Sequence, residues 1–179
     1  MTQGPGESYP ERMTAPRGER PYMPDYGVDT ADWQPLPWSW AADRLTSNRN
    51  YWVVTSSTEG RPHVLPVWGV WNDEELRFAF SCGPRSRKAR DLAVNPHAAV
   101  AIDDTVECLS IEGRATRTEG ARAETWIDRY LTKYQPLAAD LSADFLRENL
   151  LFEFVPARAF AVIEREEEFA ARATRWRFD

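Results

Sequence analysis

Tyr51-Trp-Val-Val-Thr-Ser56, Arg61-Pro-His-Val-Leu-Pro-Val-Trp-Gly-Val-Trp71 and Leu76-Arg-Phe-Ala-Phe-Ser81 follow one another with only turns between them. Each is dense in β-branched and aromatic residues, and Glu59-Gly60 and Asn72-Asp-Glu-Glu75 break them, so they read as strands 51–56, 63–71 and 76–81 of an antiparallel sheet. Working outward, 98–103 and 107–116 have the same character, and 159–163 and 171–178 close the set, the last two separated by the charged run 164–168. Pro37 and Ser39 suit a helix start, with Trp40, Ala41 and Leu45 at helical spacing behind them. Ala123, Trp126, Ile127, Tyr130, Leu131 and Tyr134 mark one face of a second helix, and Ser142 is a good N-cap for a shorter one. Six to seven strands, mostly adjacent in sequence, with two or three peripheral helices, predict a mainly β chain closed as a mostly antiparallel barrel with helical crossovers. No GxGxxG or GxxxxGK[ST] occurs, which removes the usual dinucleotide and P-loop readings.

The length of 179 residues fits one domain with a tail. Residues 1–34 hold five of the 13 prolines and four of the 9 glycines and show no apolar periodicity, so they are expected to be a flexible tail. Its tyrosines and Trp33 could still lie against the barrel or a partner. The barrel domain is expected at 35–179. A net charge of −6 argues against nucleic acid as a partner. No run approaches the roughly 20 apolar residues of a membrane span, and the N-terminus lacks an export layout. Two cysteines, Cys82 and Cys108, fit no disulfide framework, so the expected compartment is the cytoplasm.

The segment richest in chemistry is Ser81-Cys-Gly-Pro-Arg-Ser-Arg-Lys-Ala-Arg-Asp-Leu92. A strand ends, Gly-Pro turns, and a short helix starts near Ser86 with Arg85, Arg87, Lys88 and Arg90 around its first turn. Cations there have the wrong sign for the helix dipole unless an anion is bound. A phosphate would be held by free N–H groups, the Ser86 hydroxyl, a forked Arg87 and Lys88. The alternative is a solvated basic turn, or one paired with the abundant acids.

Ser86-Arg87-Lys88-Ala89, then Leu92 and Asn95-Pro96, resembles the flavin-phosphate segment of the pyridoxamine 5'-phosphate oxidase family. The stretch 61–68, Pro37-Trp-Ser-Trp40 and Ala173-Thr-Arg-Trp-Arg-Phe178 resemble the same split-barrel flavin and deazaflavin (F420) oxidoreductases, in the same order. The resemblance implies that Ser86, Arg87 and Lys88 grip the cofactor phosphate and that Phe80 and Ser81 touch the cofactor. It further implies that His63, Val64, Pro66, Val67 and Trp68 line the flavin ring, with Trp176 and Arg177 reaching the cofactor from the C-terminal strand. Pro66 breaks a strand pattern, as expected where a ligand or bulge replaces a sheet partner. The other reading is an edge strand whose tryptophans are core. Arg175 and Arg177 share one face of their strand, and could instead pair with 164–168.

True members of that family carry an Arg-x-His pair near the C-terminus, where this chain reads Arg175-Trp-Arg177. They also place an Arg and a Lys on the strand that here reads His63-Val-Leu-Pro-Val-Trp68. Oxidation of pyridoxine phosphate is therefore not the expected activity. The resemblance points to F420 first and FMN second, bound in a groove shared by a homodimer. The reaction expected is hydride transfer to an unsaturated small organic substrate. A non-catalytic cofactor or haem/tetrapyrrole-binding module is the alternative. His63 is the only nearby group that ordinarily titrates near neutrality, hence the one candidate proton donor, and the two histidines lack zinc spacing, so no metal is expected. Cys82 lies where cations could lower a thiol pKa, and Cys108 reads as a small core residue.

Overall fold

The computed structural model describes residues 14–28 and 32–178. Among these residues the strands are β1 (Gly18–Glu19), β2 (Asn50–Ser56), β3 (Pro62–Asn72), β4 (Arg77–Cys82), β5 (His97–Ile102), β6 (Glu107–Thr118), β7 (Leu150–Ile163) and β8 (Thr174–Arg177). The α-helices are α1 (Trp38–Ser47), α2 (Arg87–Val94), α3 (Gly120–Tyr134), α4 (Ala143–Arg147) and α5 (Glu166–Arg172). Every pairing is antiparallel, in the order β1-β8-β7-β4-β3-β2-β5-β6, and β6 pairs again with β7. That last ladder closes β7-β4-β3-β2-β5-β6 into a six-stranded barrel, the mainly β architecture read from the sequence, with β8 and β1 extending from β7.

One long strand makes this closure possible. Along one edge of β7, Leu150–Phe154 pair with β4 and Arg158–Ala161 pair with β8, while β6 runs along the other edge. The β6–β7 ladder slips at Glu112/Gly113: Gly113 opposes Pro156 and Glu112 opposes Arg158, so Ala157 is the extra residue of a bulge. A Cβ on Gly113 would stand 2.1 Å from the Val155 carbonyl oxygen, so only glycine fits the crossing. The freed Ala157 carbonyl accepts the Phe178 N–H at 3.0 Å.

Period-two alternation sorts the strands into an inner and an outer face. Tyr51, Val53, Phe78, Phe80, Ile111 and Phe154 face inward into one core with Trp38, Ala41 and Leu45 of α1. On the outer face of β3, β4 and β7, Val70, Ala79 and Leu151 are covered by Trp126, Ile127, Tyr130 and Tyr134, the α3 face read from the sequence.

Three expectations need correction. Strand 159–163 begins at Leu150, because Pro156 falls at the bulge, where a missing N–H costs no rung. Strand 171–178 is shortened to Thr174–Arg177, because the charged run builds the first turn of α5, where Glu166, Glu167 and Glu168 suit the helix dipole. Part of the expected flexible tail lies on the barrel. Gly18 and Glu19 pair with Trp176 and Arg175, Val28 is buried, and Trp33 donates to the Ala173 carbonyl at 2.7 Å. Residues 1–13 and 29–31 of that tail lie outside the described residues. No helix among the described residues is long and apolar enough to cross a membrane.

Candidate functional site

β3 pairs with β2 from Pro62 to Trp68 but with β4 only from Gly69 to Asn72. Its second edge is therefore open along the stretch that holds Pro66, and the missing proline N–H leaves the β4 ladder untouched. Beyond the Gly69–Phe80 rung the two strands part. The Tyr130 hydroxyl fills the gap, accepting the Ser81 N–H at 3.0 Å and donating to the Trp68 carbonyl. Tyr134, one turn on, accepts the Gly69 N–H at 2.9 Å and stands 2.8 Å from the Gly69 and Arg49 carbonyls. Two hydroxyls from one helix face thus satisfy backbone groups that the parting strands leave without partners. The Tyr134 ring also stacks on Trp68, with centroids 4.6 Å apart and planes 2° from parallel.

At the other end of this open edge stands α2. The helix starts at Ser86, as expected, and Ser86 is its N-cap, accepting the Ala89 N–H at 3.1 Å. The buried Asp91 accepts from Thr55 Oγ1 at 2.8 Å, and Asn95 Nδ2 donates to Ser56 Oγ at 2.9 Å, so α2 is fixed to β2. Arg87 is exposed and reaches Asp91 at 3.9 Å. Lys88 is only 5% exposed, yet no hydrogen-bond or ion-pair partner engages its ammonium among the described residues. Burial pulls its pKa below the ordinary lysine value. His63 lies within reach of both cations: partial burial first, then Lys88 and Arg87, hold its pKa below the usual imidazole value. Cys82 is close to Ser86 and Lys88, but its thiol is pushed up by burial, which outweighs the expected lowering by cations.

Where β3 and β4 part, a cavity of about 260 Å³ opens. Pro66, Val67, Trp68, Ser81 and Cys82 line it from the sheet, and Tyr130, Leu141, Phe145 and Asn149 close it from the helices. The structure therefore gathers the expected residues in two places along one strand edge. Ser86, Arg87, Lys88 and His63 sit at the α2 end, and Pro66, Val67, Trp68 and Ser81 sit at the cavity. Val64 points to the outer face, half exposed, and Phe80 is wholly buried in the barrel, so only its backbone borders the site.

The C-terminal pair is placed differently. Trp176 is fully buried against Trp38, at a 77° edge contact, and has no surface to offer a cofactor in its own subunit. Arg177 and Arg175 do share a face, but both bond Glu19 Oε1 at 2.7 Å, rather than the run 164–168. Glu19 could not be foreseen, because its two-residue strand carries no periodicity. Tyr130 and Tyr134 were legible as a buried helix face, but not as hydroxyls aimed at the parting strands. Lys133 was also missed. Its Nζ donates to the Tyr51 hydroxyl at 2.7 Å and the Gly69 carbonyl at 3.1 Å, and burial pulls its pKa down to about 8. Cys108 is only partly buried and its thiol faces the Thr105 carbonyl at 3.0 Å, so it is not the core residue expected. His97 is exposed, beside Arg114.

A closed six-stranded antiparallel barrel, with one strand shared between two neighbours on the same edge, defines the split-barrel class. The family model for pyridoxamine 5'-phosphate oxidase matches residues 41–163, and the chain belongs to this family. The pyridoxine/pyridoxamine 5'-phosphate oxidase of Burkholderia vietnamiensis is 31% identical over 136 residues. That match covers 73% of this chain but 58% of the relative, so the chain spans less than two thirds of that protein's length. Among solved structures, a conserved protein of Mycobacterium tuberculosis superposes with a TM-score of 0.62 at 19% identity, covering 76% of this chain and 89% of that one. HutZ, the haem storage protein of Vibrio cholerae, superposes at 0.55 with 19% identity, covering 66% and 88%. Both likenesses are of fold.

Proposed function

We propose that this chain is an oxidoreductase that holds a phosphate-bearing flavin or deazaflavin along the open edge of β3, with coenzyme F420 the first candidate and FMN the second. The observation that carries this reading is Lys88, whose side chain is packed at a helix N-terminus with its ammonium reaching the surface and no counter-ion beside it among the described residues. A cation without a partner has the wrong sign for the start of α2, and a bound phosphate would pair with it while also matching the dipole of α2. Ser86, Arg87 and Lys88 would hold that phosphate, and His63 stands on the same side. The backbone of Pro66–Trp68 and Ser81 would border the ring. When bound, the ring supplies the hydride chemistry; the protein orients it, keeps water from the cavity and presents the substrate. Phosphate recognition by Ser-Arg-Lys favours FMN, whereas the resemblance to split-barrel deazaflavin oxidoreductases is what puts F420 first. The site is expected to operate in a homodimer on an unsaturated small molecule in the cytoplasm.

The haem-binding alternative draws on the fold shared with HutZ. One measurement separates the readings: the absorption spectrum of the purified protein, with the extracted cofactor identified by mass. A flavin or deazaflavin spectrum is expected. A haem band, or a colourless protein that binds neither FMN nor F420 when titrated, would overturn the proposal.

A further inference from the structure

The cavity at the parting of β3 and β4 differs from the α2 end of the site in carrying no charge. Its apolar wall is Pro66, Val67, Trp68, Leu141, Phe145 and Leu146, and its polar groups are Ser81, Cys82, Asn149 and the Tyr130 hydroxyl. Among the described residues, not one Lys, Arg, His, Asp or Glu lines it. The Tyr130 hydroxyl already bridges Trp68 and Ser81, and burial keeps both this phenol and the Cys82 thiol protonated near neutral pH. Nearby cations stand outside the wall, Lys88 at the α2 end near Cys82. Lys133 points at Tyr51 and Gly69, and Arg49 holds its guanidinium 6.0 Å from the Trp68 ring centroid without forming part of the wall.

We propose that this cavity admits an uncharged, flat, conjugated acceptor bearing one N–H or O–H, and excludes phosphate esters. A phosphate dianion entering here would lose its water against apolar side chains with no cation in the wall to pair with, which is unfavourable. Flat conjugated rings suit a wall that includes Trp68 and Phe145. The single donor follows from Asn149. Its Nδ2 is committed to the Phe145 carbonyl at 2.8 Å, which leaves Oδ1 as an acceptor. Oδ1 lies beside Gly83, where even an added Cβ would stand 3.8 Å away, so space for a ligand atom remains. The substrate of the Burkholderia relative, by its name, carries a phosphate, and this chain departs from it here. The assignment rests on the proposed oxidoreductase reading only for the word acceptor.

The test uses the full chain as purified, with whatever cofactor it carries, and follows the methyl resonances of Val67, Leu141 and Leu146. Two probes are titrated: isatin, neutral and flat with one N–H, and pyridoxine 5'-phosphate. Isatin should shift these methyls, and the phosphate ester should require at least about 100-fold higher concentration, the scale on which a site rejects a ligand it cannot satisfy. Asn149→Leu should weaken isatin by about tenfold, the upper range for one hydrogen bond. The inference is overturned if the ester moves the methyls at the same concentration or lower, if isatin leaves them unmoved, or if Asn149→Leu binds isatin undiminished. Failure of the cofactor reading has a separate signature, since a protein that binds no flavin, deazaflavin or haem could still show the expected methyl response.

Discussion

Lys88 and Lys133 are the two lysines of the chain, both drawn out of water with no carboxylate in ion-pair reach among the described residues, and they invite opposite experiments. Lys88 stands beside Arg87 at an anion-ready helix start. Replacing both with alanine should weaken FMN or F420 binding by at least about 2 kcal/mol, since a hydrogen bond to a charged group contributes roughly 1.5–3 kcal/mol. The same double variant should raise the His63 pKa, because two of the influences holding it down are removed, although burial, the largest, remains. Equilibrium dialysis and an NMR titration of the His63 ring read the two effects. Undiminished affinity would remove the phosphate site, and an unmoved His63 would mean that it does not face these cations. Lys133 has no anion to attract, and its neighbours are a phenol and a carbonyl. Its folded pKa of about 8 lies below the ordinary 10.5, so between those values the unfolded chain binds more protons and this group makes stability rise with pH. Lys133→Met removes that contribution. Its stability relative to the parent should be greatest below pH 8 and should decline as pH climbs toward 10.5. Urea melts of both proteins at pH 7 and pH 9.5 check the sign; a relative stability that does not change between them would mean that Lys133 keeps its ordinary pKa.

Helix α3 acts as a splice where β3 loses its neighbours, and its contribution is concentrated in two hydroxyl groups. In Tyr130→Phe the ring still fills the outer-face core, but the Trp68 carbonyl and the Ser81 N–H lose their bridge. Leaving such groups unsatisfied costs about 1–3 kcal/mol each at most, so a loss of about 2 kcal/mol is expected in urea unfolding. A loss below about 0.5 kcal/mol would show that water replaces the hydroxyl without penalty. The same element shows what could be read from the chain and what could not. The spacing of Trp126, Ile127, Tyr130 and Tyr134 makes the buried face of α3 plain, Ser142 caps the helix it was expected to cap, and α2 starts at Ser86 as expected. Pro66 marked the open edge of β3, because a proline in a strand needs such an edge. Pro156 within β7 gave no such signal: its tolerance depends on a bulge made by Gly113, a residue 43 positions away on another strand. Glu19 is also a long-range partner, joined to Arg175 and Arg177 across the sheet extension. Local pattern carries caps, faces and breaks; it does not carry the pairing of distant segments.

At the scale of the molecule, the outer surface of the barrel is divided. Over β3, β4 and β7 it is covered by α3, and along β6 it presents Glu112, Arg114 and Thr116 to water. Over β2, β3 and β5 it is apolar and, among the described residues, uncovered. Trp52 opposes Pro66 and Ala101, and Val54 opposes Val64 and Ala99, so the outward positions of three adjacent strands form one patch. Trp52 is 42% exposed and Val64 49%. Contiguous exposure of this kind marks an interface, and a second copy of the same face is the simplest partner because a two-fold axis pairs a patch with itself. The patch includes the outward side of the very strand whose open edge borders the candidate site, so assembly would bring a second subunit next to that edge. The protein should therefore sediment as a homodimer at concentrations near a micromolar. Trp52→Glu should turn it into a monomer with the fold retained, since Trp52 touches solvent rather than the core, and burying two carboxylates at the axis carries a heavy desolvation cost. Cofactor affinity should fall in the same variant, although residue 52 is on the strand behind the site. A monomeric parent, or a Trp52→Glu variant that remains dimeric, would show that this face is not where two chains meet.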